Sequence, residues 1–464
     1  MIDTLVIGSG IAGLTAAWQL ARSGKSVEVL ERQDRAGGNV YTLEHAGYRL
    51  ESGPHSFMGS SENLWKLLEG CGLDADAVAA SPAADNRYIY RNGRLMALPM
   101  SAGSFLTSPL LSFRAKMRLA AEPFIRGGAH EEDTAWDFFV RRFGAEAASY
   151  IMSPFISGIY AGDIRALGAR AAFPKFWGFE KESGSMIRGA MRYMKAKRKR
   201  YKAEGRLMRK GLFSLRGGLG RLTSHLAGQL DGKVHLSSAA TSLRPVPGGF
   251  HVIAQGRSFE CRSVIVAIPP QAASELLSSL SPPASQAIAR VPMVPVALAH
   301  WSIPRDRVAM PSGFGFLVPR DQGLRVLGTL FPSQLFEGRA PDGMQLMASY
   351  YGGALDKAAA ELPEDALVAL LREDHGRVLG SDPGAPEMLR VLRYSHAIPQ
   401  LLPDHPERMA EARRALERIP GLALAGNYLT GVGIEQAVES GFEAAGQTLR
   451  FLEEQGGRHD IGNN

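Results

Sequence analysis

Residues 2–7 form a short apolar run, residues 11–23 carry apolar positions at helical spacing, and Ser26–Leu30 is again short and apolar. Together they predict strand, helix and strand, a βαβ unit at the start of the chain. Residues 60–71 predict an amphipathic helix, followed by loops and short strands such as Arg87–Tyr90. From about Ser101 to Lys210 strand patterns vanish, and helices are predicted over Phe113–Phe124, Thr134–Phe143, Ala145–Ile151 and Gly189–Ala203. Strands return at Val234–Leu236, Phe250–Ala254 and Ser263–Ala267. Residues 291–351 predict a mixed sheet with VPVALAHW and QLMASYY as strands, and residues 363–379 a helix. The chain closes on a strand, Leu422–Ala425, a Gly-rich turn, and a helix from Ile434 to about Glu454.

An opening βαβ unit matched by a strand, turn and helix at the far end predicts one nucleotide domain built from separated pieces. The expected fold is α/β. A Rossmann-type domain comprises 1–85, 213–290 and 395–464, a mixed-sheet substrate domain 86–100 and 291–394, and a helical insertion 101–212. The 464 residues, 45% of them hydrophobic, suffice for two or three such units. A net charge of +7 favours anionic partners without choosing among them. Cys71 and Cys261 are the only cysteines, too few for a zinc site or a disulfide framework, and a reducing compartment is expected. No signal peptide is read at the N-terminus, and no run reaches the ~18 apolar residues of a membrane span. The expected location is cytoplasmic, with any membrane contact peripheral and on the cytoplasmic face.

Chemistry enters at Gly8-Ser9-Gly10-Ile11-Ala12-Gly13. Gly8 allows a tight turn, Gly10 lets the backbone approach a pyrophosphate, and Gly13 lets helix pack close to strand. Phosphates then sit at a helix N-terminus, where free N–H groups and the dipole favour negative charge. Glu31 ends the second strand near the ~20-residue spacing of a ribose-binding acid. The pair Gly37-Gly38 lets a second backbone segment approach the dinucleotide. Gly431-Val432-Gly433 precedes a helix whose N-terminus can stabilise charge on a reduced flavin. That return motif favours FAD over NAD.

At this point the chain resembles the protoporphyrinogen oxidase family, within the wider monoamine-oxidase-like flavoproteins. The resemblance is carried by GSGIAGLTAAWQL, VLERQDRAGGNVYT and ESGPHSF near the start, and by SPFISGIYAGDIRALGARAAF at 153–173. FSLRGGLGRL, GFGFLVP, LGTLF, AIPQLLPDH and GNYLTGVGIEQAV extend it almost end to end. The GIYAGD run is the most diagnostic, because general amine oxidases lack it. The resemblance implies an FAD enzyme that oxidises a porphyrinogen to a porphyrin in haem synthesis. Protoporphyrinogen IX is the preferred substrate, coproporphyrinogen III the alternative, and oxygen or another acceptor takes the electrons.

For substrate, the resemblance implies that Arg87 pairs with a propionate, that the Gly158 carbonyl faces the pyrrole N–H groups, and that Leu317, Leu330 and Tyr350 sandwich the macrocycle. For FAD it implies Gly8, Ser9, Gly10, Ile11, Ala12, Gly13, Leu14, Glu31, Arg32, Gly38, Asn39, Gly53, Pro54, His55, Ser56, Val432, Gly433 and Ile434, with Ala240 and Tyr394 as weaker matches. Three positions depart from the pattern. Asn39 stands where Arg or Lys is common. His55 replaces a common Asn beside the flavin, with a simple loop hydrogen bond slightly favoured over substrate contact. Glu435-Gln436-Ala437 replaces Asn-Asp-Cys. No residue is assigned as catalytic acid or base, and no metal site is expected.

The rival readings are an amine oxidase, a carotenoid-type desaturase, and a flavoprotein that only binds porphyrin. Nucleic acid is not an expected partner; a homodimer is a candidate, as is an anionic membrane surface. The last rests on Ser104–Phe113 (SFLTSPLLSF), expected to expose apolar residues around Pro109, and on Arg188–Lys210, with about a dozen Lys and Arg against one Glu204.

Overall fold

A computed structural model describes residues 1–99, 101–384 and 386–461. The apolar strand Ile2–Ile7 lies between Val27–Leu30 and Arg257–Val266, parallel to both, with Val234–His235 parallel on the outer side. The long strand Arg257–Val266 serves two further neighbours. Its first half pairs antiparallel with Gly249–Ala254, which in turn pairs with Ala240–Val246; its last three residues run parallel to Leu422–Leu424. Leu5, Val6 and Ile7 are all buried, because both faces of this sheet are covered. Val6 packs with Leu14 of the helix Ile11–Arg22 and Val438 of the helix Ile434–Ile461. Leu5 and Ile7 pack with Ala273, Ile288 and Met409 of three helices on the other side.

A second sheet has the spatial order Glu387–Pro399, Met293–Pro304, Met344–Gly352, Gly328–Leu330, Gly315–Leu317, Arg87–Arg91 and Arg94–Ala97. All neighbours are antiparallel except Gly315–Leu317 and Arg87–Arg91. Side chains alternate across it. Ala297, Ala299, Trp301, Phe316, Met347 and Tyr351 join the core beneath the helix Glu364–Leu379. Leu298, His300, Leu317, Leu330, Ala348 and Tyr350 therefore share the opposite face.

Among the described residues the segment 101–203 holds helices and no strand. Its core gathers Phe138, Phe139, Ile156, Tyr160, Phe173 and Trp177 around Leu401. The carboxylate of Glu122 accepts from Ser185 Oγ and from the backbone N–H groups of Met186 and Ile187, so it caps the helix Met186–Ala203. Arg142, fully buried, donates Nε to Glu122 at 2.7 Å and faces Glu180 at 3.3 Å. This network fixes the angle at which the basic helix leaves the body.

Several local readings needed tertiary information. The helix expected over Ala145–Ile151 turns π-helical at Ala148–Met152 before continuing as Ser153–Tyr160. Pro154 has no N–H and crowds the carbonyl four residues back, so the ladder widens ahead of it. Pro123 likewise ends the helix Phe113–Ala120 and leaves a 3₁₀ turn at Glu122–Phe124. The expected apolar exposure around Pro109 is corrected. Leu110 and Leu111 are buried in satellite cores against Ile151, and only Leu106 and Phe113 of the large apolar residues there face outward. In the basic helix, Lys197 is no free cation: its Nζ donates to the Ser60 carbonyl and pairs with Glu62, both at 3.2 Å.

Candidate active site

The first turn brings the three glycines together. Gly8 has φ +105°, and a Cβ there would meet the Ala267 carbonyl oxygen at 2.4 Å. A Cβ on Gly13 would meet the Gly8 carbonyl oxygen at 2.0 Å, which is the close helix–strand contact. A Cβ on Gly10 would meet nothing within 4 Å. The helix Ile11–Arg22 has no side-chain cap, although Ile11 and Ala12 are each only 6% exposed. A buried, uncapped helix N-terminus beside an open glycine suits a phosphate. Glu31, also buried, accepts from Ser9 N and Ser9 Oγ at 2.9 and 2.6 Å and from Gln33 N at 2.8 Å. Ser9 and Leu14 are buried beneath this turn.

The second glycine pair closes on the first. Gly37 N donates to the Ser9 carbonyl at 2.9 Å, and a Cβ on Gly38 would lie 3.2 Å from Gly10 Cα. Arg35, which sequence reasoning passed over, donates to the Gly38 carbonyl and stacks 3.4 Å above the Tyr41 ring. Asn39 and Gly53 are neighbours: a Cβ on Gly53 would meet the Asn39 carbonyl at 2.4 Å. Tyr394 Oη donates to the Ser52 carbonyl at 2.8 Å, tying the second sheet to this segment. Arg32 is exposed, and Ala240 stands at the edge of the first sheet's core, close in sequence to Ser238, whose N donates to the Glu31 carbonyl.

At the C-terminal turn, Gly431 has φ +153°, and Gln436 folds back over it. A Cβ on Gly433 would meet Gln436 Oε1 at 2.4 Å. Val432 packs toward the helical core and Ile434 toward the core of the first sheet, so this turn stands between them. The helix behind it crosses Ile11–Arg22 closely, because a Cβ on Gly441 would meet the Ala12 carbonyl at 2.4 Å.

The face of the second sheet opposite its helix carries two rows of residues paired strand to strand. One row runs Ile89, Leu317, Gly328, Tyr350, Leu298. The other runs Arg87, Gly315, Leu330, Ala348, His300. Arg87 and His300 thus stand at opposite ends of one row, four inter-strand spacings or roughly 19 Å apart. Helix Ser153–Tyr160 crosses the first row: a Cβ on Gly158 would meet Leu317 Cδ2 at 2.5 Å. Gly158 lies in that helix's last turn, whose carbonyls lie beyond the helical ladder. The helix stops at Ala161 in the left-handed region (φ +45°), whose carbonyl accepts from Ala354 N. Arg87 is half-buried, stacks 5.3 Å from the Phe314 ring, and leaves its Nε without a partner.

His55 enters from the loop that follows Gly53, with Pro54 and Ser56 half-buried beside it. Its ring is 5% exposed and stands 6.0 Å from His300 and 6.5 Å from Tyr350 between ring centroids. Neither ring nitrogen has a protein partner, so the loop hydrogen bond favoured from sequence is not made. Burial, then His300 and Arg339, hold the His55 imidazole well below the usual histidine range. Burial likewise pulls His300 down to about 4, against a hydrogen bond to the Glu51 carbonyl. Beside them Glu51 pairs with Arg339 at 2.7 Å, both buried, and burial raises the Glu51 carboxyl despite the arginine. Sequence reasoning missed His300. Its signal was a polar residue two positions from Leu298 in an otherwise apolar strand.

The Flavin containing amine oxidoreductase model matches residues 11–449. A chloroplastic protoporphyrinogen oxidase of Nicotiana tabacum is 33% identical over 97% of this chain and 86% of its own. The chain belongs to the flavin-containing amine oxidoreductases, in their protoporphyrinogen oxidase family. The chain is also similar to a coproporphyrinogen III oxidase of Bacillus subtilis, 29% identical over 97% of this chain and 98% of that one. A crystal structure of a protein from Exiguobacterium sp. 255-15, provisionally described as a protoporphyrinogen oxidase, shares the fold with a TM-score of 0.81. It is 22% identical and covers 97% of this chain and 99% of that one. The chain is an FAD-dependent oxidoreductase, and the buried, uncapped helix end with its converging glycines fits that cofactor.

Proposed function

We propose that the enzyme oxidises a porphyrinogen to the porphyrin in haem biosynthesis, with protoporphyrinogen IX as substrate and oxygen as electron acceptor. The observation that carries this reading is the apolar row crossed by Gly158. Leu317, Leu330 and Tyr350 offer flat apolar surface for a macrocycle, and Arg87 waits at the rim with no carboxylate partner among the described residues. FAD supplies hydride acceptance from a methylene bridge. The protein holds the ring, keeps water out, and presents carbonyl and imidazole acceptors to the pyrrole N–H groups. The similarity to a coproporphyrinogen III oxidase supports that porphyrinogen as the alternative substrate. Aerobic assay of both porphyrinogens, with product fluorescence and identity recorded, decides between them; turnover of neither would end the reading.

Arg87→Ala should raise KM for the porphyrinogen more than it lowers kcat, because a carboxylate away from the reacting bridge contributes mainly uniform binding. Loss of a charge-assisted pair predicts a rise of about ten- to a hundredfold. An unchanged KM would remove Arg87 from the site.

We further propose peripheral attachment to an anionic membrane surface. Among the described residues no helix is long and apolar enough to cross a membrane. Leu106, Phe113 and Phe124 are more than two-thirds exposed on the helical segment, and Lys195, Arg198, Lys199 and Lys202 are exposed on the basic helix. Apolar insertion with a polybasic patch is a two-signal arrangement. Neutralising those four cations should release the protein from anionic liposomes at low salt while turnover of detergent-dispersed substrate persists. Wild-type protein that stays in the supernatant would refute the attachment.

A further inference from the structure

His300 Nε2 lies 2.9 Å from the Glu51 carbonyl oxygen. A carbonyl only accepts, so this nitrogen carries the hydrogen and Nδ1 is left with a lone pair. That Nδ1 is buried and unpartnered, as are both nitrogens of His55 above it. Three orphaned imidazole nitrogens therefore meet where the cofactor segment Gly53–Ser56 reaches the substrate face, at the end of the row opposite Arg87. The surrounding groups are the buried Glu51–Arg339 ion pair and the half-buried Tyr350, and none of them supplies a donor to these nitrogens. Such a cluster loses hydrogen bonds on folding unless a bound group restores them.

The tautomers can be followed outward from Glu51. The His300 lone pair needs a donor, and among the described residues the ring beside it is His55, at a spacing that one water molecule spans. If His55 turns its N–H toward His300, its other nitrogen presents a lone pair to the ligand. The core of a porphyrinogen offers four pyrrole N–H groups, donors without an acceptor. Building on the porphyrinogen reading above, we propose that His55 accepts a substrate N–H hydrogen bond, with His300 as the positioning residue that fixes its tautomer. The Gly158 carbonyl and the His55 lone pair then hold the macrocycle's N–H groups from two directions, while Arg87 holds a carboxylate at the far end. Because burial, and after it His300 and Arg339, oppose a charge on His55, the ring acts as a neutral acceptor through the physiological range.

The test uses the FAD-loaded enzyme with His55→Phe, His55→Asn and His300→Leu. Three quantities are read: flavin content and absorbance, the Kd of the porphyrin product from fluorescence quenching, and the rate at which porphyrinogen bleaches the flavin without oxygen. His55→Phe should keep its FAD and spectrum, yet weaken porphyrin binding and slow bleaching by about ten- to a hundredfold. His300→Leu should shift both in the same direction by less. His55→Asn, whose amide offers a donor and an acceptor, should return to within a few-fold of wild type. If the wild type bleaches with neither porphyrinogen, the porphyrinogen reading itself has failed. If the wild type bleaches and His55→Phe matches it in Kd and rate, the imidazole does not touch substrate. If His55→Phe loses FAD or shifts the flavin spectrum while porphyrin Kd holds, the pair serves the cofactor alone, and the proposal is overturned.

Discussion

Purified Gly13→Ala protein should come off the column colourless, whereas the wild type should release a soluble flavin of FAD mass on acid denaturation. The added methyl would sit 2.0 Å from the Gly8 carbonyl oxygen and 3.1 Å from Ala267 Cβ, both on packed backbone or core. The helix Ile11–Arg22 must back away from its strand, and its N-terminal amides leave the position where they meet phosphate. Overpacking of this kind costs about 1–3 kcal/mol of stability, so a lower Tm should accompany the lost colour. Gly10→Ala separates the two effects. Its Cβ meets no protein atom within 4 Å, and its φ of −63° suits any residue. That variant should fold with wild-type stability in the absence of flavin and still bind FAD more weakly. Undiminished FAD binding by Gly10→Ala would show that the dinucleotide does not approach this glycine.

The opening βαβ unit was legible because its signals are local. A six-residue apolar strand, three glycines with separate duties and a helix follow one another without a gap, and the structure places strand and helix at Ile2–Ile7 and Ile11–Arg22. The C-terminal strand Leu422–Leu424 was legible for the same reason, but its place beside Val264–Val266 was not, since that pairing spans the chain. Glu387–Pro399 escaped reading altogether. Six of its thirteen residues are charged or polar, because it is an edge strand with one face toward water. The site shows the same division. Glycines reveal themselves by type and spacing, whereas Leu317 against Gly158 and His300 beneath His55 are meetings of residues far apart in sequence. The basic helix misled for a physical reason: charge counts cannot tell that Glu62 reaches across to hold Lys197.

Acid should destabilise this protein well before its carboxylates are neutralised. His300, His375 and His405 are buried and held down to about 4, in each case chiefly by burial. His375 shows why. Its Nδ1 faces the Leu371 carbonyl at 2.8 Å and so carries the hydrogen, which leaves Nε2 to accept from the Thr329 and Ser349 hydroxyls at 2.8 and 3.2 Å. A second proton would replace that acceptor with a donor inside a dry core. In the unfolded chain the same rings take up protons near pH 6.5. Between pH 6.5 and 4 the unfolded state therefore binds more protons than the native state, and stability falls as pH falls. Each ring accounts for on the order of 3 kcal/mol across that window. Asp374 opposes the trend: burial raises its carboxyl to about 6, so its protonation favours the native state over part of the same range. His55, also held well below its usual range by burial, adds a fourth ring, and Glu51, raised by burial, a second opposing carboxylate. Four rings against two carboxylates leave a net loss of roughly two ring equivalents, large beside a typical total of about 5–15 kcal/mol. Urea unfolding at pH steps from 7.5 to 4.5 should show the free energy dropping with a slope of about two protons, and His375→Gln should lower that slope by about one. A free energy that stays flat across these steps would mean that the buried rings are already charged in the native state.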